Sequence, residues 1–78
     1  MIERAMVEEH LQLAEKHVAQ GDQHLADQRE LIFQMERDGH DTTEARRLLR
    51  QFEELQELHI ADRDRLRQEK ASLDENSN

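Results

Sequence analysis

Between Arg37 and Ala45 the chain reads RDGHDTTEA, and nowhere else in its 78 residues is there comparable punctuation. Gly39 suits the left-handed residue that follows a helix C-terminus. Asp41, with Glu44 three residues later, reads as a capping box that opens another helix. Proline is absent, and Gly21 is the only other glycine. The spacing predicts a helix over about 3–38, a turn over 38–42, a helix over about 42–70 and a frayed tail over 71–78. A turn this short folds the second helix back antiparallel on the first.

The apolar residues carry the same message. In the first helix Leu11, Val18, Leu25 and Ile32 alternate with Val7, Ala14, Gly21, Gln28 and Met35, the 3–4 spacing of a coiled-coil seam. In the second, Ala45, Phe52, His59, Leu66 and Leu73 are expected to alternate with Leu48, Leu55, Asp62 and Glu69. Folding about His40 pairs positions whose numbers sum to about 80. Met35 then meets Ala45, Ile32 meets Leu48, Leu25 meets Leu55, Ala14 meets Leu66, and Gly21 makes room for His59. The expected fold is an all-α antiparallel two-helix hairpin. A hairpin buries one stripe of each helix, so Leu13, Leu31, Phe33, Leu49, Leu58 and Ile60 stay partly wet. Dimerisation into a four-helix bundle would cover several of them. The expected interface residues are Leu13, His17, His24, Leu31, Phe33, Leu49 and Leu58.

Charge narrows the partners. The formal net charge is -8, with 38% charged residues and 35% hydrophobic ones. Disorder would fit the low mean hydropathy of -1.10, but the apolar residues are periodic rather than sparse. An acidic chain is a poor ligand for nucleic-acid phosphates, so no nucleic-acid partner is expected. The arginines Arg46, Arg47 and Arg50 cluster, but later ones are interrupted by acids, as on a solvated, ion-paired helix face. No apolar run approaches the roughly 18 residues of a membrane span, so no membrane partner is expected. With no cysteine and no signal-like N-terminus, the expected setting is cytoplasmic.

His10, His17 and His24 recur at seven-residue intervals along the first helix. Seven residues of helix span about 10.5 Å, while two imidazoles on one zinc each lie about 2 Å from it. Neighbours in this line therefore cannot share an ion. The line is expected to pack at the edge of an interface, and its imidazoles are groups that change charge near neutral pH. If burial in a dimer disfavoured that charge, acid would weaken the association; if the neighbouring acids, Glu15 and Asp22 among them, dominated instead, acid would tighten it. His59 and Asp62 break the apolar pattern of the second helix, and a register-setting polar layer is their expected role. A metal assembled across helices from His59, Asp62, His17 and His24 is the alternative. No nucleophile sits beside a base and no glycine-rich phosphate loop is present, so neither catalysis nor a cofactor is expected.

The stretch MERDGHDTTEARRLLRQFEELQELHIADRDRL, Met35 to Leu66, together with HVAQGDQH upstream, resembles a group of short, uncharacterised bacterial helical-hairpin proteins. The resemblance implies the hairpin and brings no activity or site residues. The functional expectation is a small acidic, non-enzymatic protein–protein interaction or regulatory module acting as a homo-oligomer. Its partner would be a second copy, with another protein as a further partner. The rival expectation is a metal-binding helical bundle.

Overall fold

The computed structural model describes residues 2–76. It contains two helices, α1 (Ile2–Arg37) and α2 (Thr43–Asn76), packed along their whole length as an antiparallel hairpin 61 × 15 × 14 Å in extent. Both are rich in Ala, Leu, Glu, Gln and Arg, the residues that lose least on entering a helix.

The turn forms as its residues require. Gly39 has φ 76°. This left-handed residue lets the His40 N–H donate to Met35 O at 2.9 Å and the Gly39 N–H to Glu36 O at 3.1 Å, which satisfies two end carbonyls of α1. His40 enters through its backbone. Asp41 then caps α2: its Oδ1 accepts from the Thr43 N–H at 3.0 Å and the Thr43 hydroxyl at 2.7 Å. These two bonds, the hydroxyl first, hold the Asp41 carboxyl below its ordinary range, and slight desolvation opposes them. The reciprocal half of the box is replaced, because Glu44 accepts from Arg47 at 2.7 Å.

α2 also continues past its expected end near Lys70 to Asn76, so 71–76 is helix rather than frayed tail; 77–78 lie outside the described residues. Leu73 explains the extension, since it packs against the cluster of Val7, Leu11, Ala14 and Leu66.

The seam of α1 is as expected: Val7, Leu11, Ala14, Val18, Leu25, Gln28 and Ile32 are buried, and Gly21 and Met35 half-buried. In α2 the line Ala45, Phe52, His59, Leu66, Leu73 faces the seam, but its companion line is one residue later than expected. Leu49, Gln56, Arg63 and Lys70 turn inward, while Leu48 and Leu55 are 40% and 50% exposed and Asp62 and Glu69 face water. Leu49 therefore lies half-buried in the seam within the hairpin.

Two glutamines explain the register. Gln28 Nε2 donates to Ala45 O at 2.8 Å, and Gln56 Nε2 donates to Val18 O at 2.9 Å and to Asp22 Oδ1 at 2.8 Å. A buried amide bonded across the seam is tolerated, whereas an unbonded one is costly. Arg63 and Lys70 reach the seam with their alkyl stems and keep their charged ends in water. Gln56, not His59, occupies the notch at Gly21. A Cβ at position 21 would lie 2.6 Å from Gln56 Cδ and closer still to its Oε1.

Candidate interaction face and histidine groove

The two edges of the seam differ in chemistry. Along one run Glu15–Arg67 at 3.2 Å, Arg29–Glu53 at 3.5 Å, Glu8–Lys70 at 4.0 Å, and the pairs Glu36–Arg46 and Arg4–Asp74. Glu15, Arg29 and Glu36 of α1 meet Arg67, Glu53 and Arg46 of α2 at multiples of seven residues, so this edge is lined by ion pairs. Arg46 and Arg47 of the arginine cluster are both engaged, with Glu36 and Glu44.

Along the other edge lie His10, His17, His24 and Leu31 of α1, facing Glu69, Asp62, Leu55 and Leu48 of α2. The next line outward adds Met6 and Leu13 from α1 and Leu58 and Arg65 from α2. Among the described residues the exposed large hydrophobic ones are Met6, Leu13, Leu31, Leu48, Leu55 and Leu58, all on this face, and Phe33. Phe33 follows Ile32 by one residue, which rotates it to the side of Arg29 and Glu36. The seven residues expected at an interface thus separate: Leu13, His17, His24, Leu31 and Leu58 share one face, Leu49 is in the seam, and Phe33 is on the ion-paired side.

A shallow groove crosses this face, lined by His17, Gln20, Gly21, His24, Phe52, Leu55, Gln56 and His59. In it the His17 and His59 rings lie with centroids 5.2 Å apart and planes inclined at 44°. His24 packs on Phe52, with centroids 5.8 Å apart. Asp62, expected beside His59, is exposed and accepts from Arg65 at 2.6 Å. So of His59, Asp62, His17 and His24 the fold sets only His17 and His59 ring against ring, with His24 in the same groove against Phe52, and among the described residues no three His, Asp or Glu side chains are placed to hold one metal ion. The polar layer of the seam is made by Gln28 and Gln56 instead. Gln56 carried a legible signal, since the interval from Phe52 through position 56 to His59 repeats the 4–3 spacing of α1.

Among the described residues no helix is long and apolar enough to cross a membrane. No known protein family, curated protein or solved structure matches the chain.

Proposed function

We propose that the protein is an acidic, non-enzymatic protein-interaction module that acts as a homodimer, two hairpins burying their histidine–leucine faces as a four-helix bundle. The observation that carries this reading is the one-sided placement of Met6, Leu13, Leu31, Leu48, Leu55 and Leu58. Exposed apolar residues scattered singly are ordinary, whereas a contiguous stripe marks a surface that is covered.

Area supports a second copy as the cover. A compact monomer of 9.3 kDa exposes about 5,000 Å². This chain exposes 6088 Å². The excess of about 1,100 Å² belongs to the elongated shape of the hairpin, and covering one long face would remove area on the scale of the roughly 800 Å² per partner that a stable interface buries. A face 61 Å long and 15 Å wide, about 900 Å², supplies that area. The absence of cysteine fits a reducing, cytoplasmic setting.

Sedimentation equilibrium across micromolar concentrations tests the reading. The wild-type chain is expected at twice its 9.3 kDa mass. A helical chain that sediments at the single mass throughout would refute it.

A further inference from the structure

We infer that His17 and His59 form a binding site for a divalent transition-metal ion that clips α1 to α2. Their centroids, one ring from each helix, are 5.2 Å apart. Two imidazoles sharing one tetrahedral ion, each nitrogen about 2.0–2.1 Å from it, carry ring centres roughly 5 Å apart. Along α1 itself the separation of about 10.5 Å between His10 and His17 prevents any such sharing. The site exists because the fold sets a flanking histidine of one helix against a seam histidine of the other.

A second observation points to the same groove. Gln56 is only 4% exposed, and its Nε2 is committed to Val18 and Asp22. Its Oε1 is buried with no donor among the described residues. An acceptor left without a donor is unfavourable in the low-dielectric interior. Gln56 lines the same groove as the two imidazoles, so a ligand carrying a donor is what this oxygen lacks. Imidazole nitrogen, with no thiolate and no cluster of carboxylates, selects zinc, nickel or copper over magnesium or calcium. Both ligands come from one hairpin, and the groove lies on the face that the proposed dimer buries.

Calorimetric titration of the chelator-treated full chain at pH 7.5 with zinc or nickel chloride tests this, with magnesium chloride as control. The expected result is micromolar binding of zinc and nickel and no heat with magnesium. His17→Gln is expected to weaken zinc binding at least about 10-fold, and His10→Gln, one heptad away, to leave it unchanged. His59 is half-buried, so His59→Gln is read only if its helical circular dichroism persists; His17→Gln, on the flank, carries the decision. Zinc is further expected to shift the ring resonances of His17 and His59 and not those of His10 or His40. The site is refuted if about 100 µM zinc and nickel give no binding, if His17→Gln binds as tightly as wild type, or if His10→Gln loses as much.

Discussion

The two edges of the hairpin occupy equivalent positions of the same repeat, yet one finds its partners within the chain and the other does not. On the first, Glu15, Arg29 and Glu36 are matched by Arg67, Glu53 and Arg46. On the second, His10, His17, His24 and Leu31 face Glu69, Asp62, Leu55 and Leu48, and the leucines remain in water. Ion pairs at exposed positions add little stability each, but like charges would meet if α2 slipped by a heptad, so they favour one alignment. Leucines at the equivalent positions add nothing to alignment inside one chain and gain only when another surface arrives. The difference is plain: one edge matches its charges within the hairpin, and the other leaves its leucines in water.

The largest expected effect breaks the second edge. Leu55→Glu with Leu58→Glu, at sites already 50% and 68% exposed, should leave the hairpin folded. The association constant should fall at least about 100-fold, close to 2.7 kcal/mol. Equal association of variant and wild type in sedimentation would remove the distinction between the edges.

Next is the notch between them. Gly21→Ala is expected to cost about 1–2 kcal/mol in urea unfolding, because Gln56 must abandon its bonds or its rotamer. In a Gln56→Ala background the same change should stabilise by up to about 1 kcal/mol, the helix preference of Ala over Gly. Additive effects of the two changes would show that the notch and the glutamine are unrelated.

Smaller still, Arg29→Gln or Glu53→Gln on the ion-paired edge should each cost no more than about 0.5 kcal/mol. That cost should shrink further in 1 M salt, where screening acts over about 3 Å. A salt-insensitive loss of several kcal/mol in either variant would mean that this edge is buried after all.

The turn gives the smallest effect, confined to acid. Asp41 is held below 3.8, so its contribution is complete above that value and is lost as pH falls through the lower folded value. Asp41→Asn, itself a good cap, should melt near wild type at pH 7 and show a flatter acid limb below pH 4. Parallel acid limbs in the two proteins would show that the cap is silent.

Much of this architecture is legible in the residues. Gly39 and Asp41 mark the turn because one requires a left-handed backbone and the other offers an oxygen to free N–H groups. The seam of α1 is legible because its apolar residues repeat without ambiguity. In α2 the choice between Leu48/Leu55 and Leu49/Gln56 is decided wrongly by hydrophobicity alone. Counting leucines favours the first pair, while the fold prefers an amide that reaches a backbone carbonyl. Below that level both alternatives are polar, Asp62/Glu69 against Arg63/Lys70, and only the long alkyl stems of the second pair explain its inward position. His59 is placed on the correct line, but its neighbour proves to be His17 rather than Asp62. The error has the same origin: the one-residue rotation carries Asp62 out to the flank.

The buried cluster of Val7, Leu11, Ala14 and Leu66, with Leu73 packed on it, lies at the end farthest from the turn, and this bears on the order of events in time. Glu36 and Arg46 are ten residues apart in sequence, and Glu15 and Arg67 are 52 apart. Bringing the second pair together directly costs roughly 1.5 kcal/mol more loop entropy than the first. Folding should therefore start at the turn and zip outward, reaching the open end last. The distal cluster then acts as a latch that contributes little to the rate of closing and much to the rate of opening. Stopped-flow measurements on Leu66→Ala should find faster unfolding with nearly unchanged folding, and a slowed folding limb would place the nucleus at the open end instead.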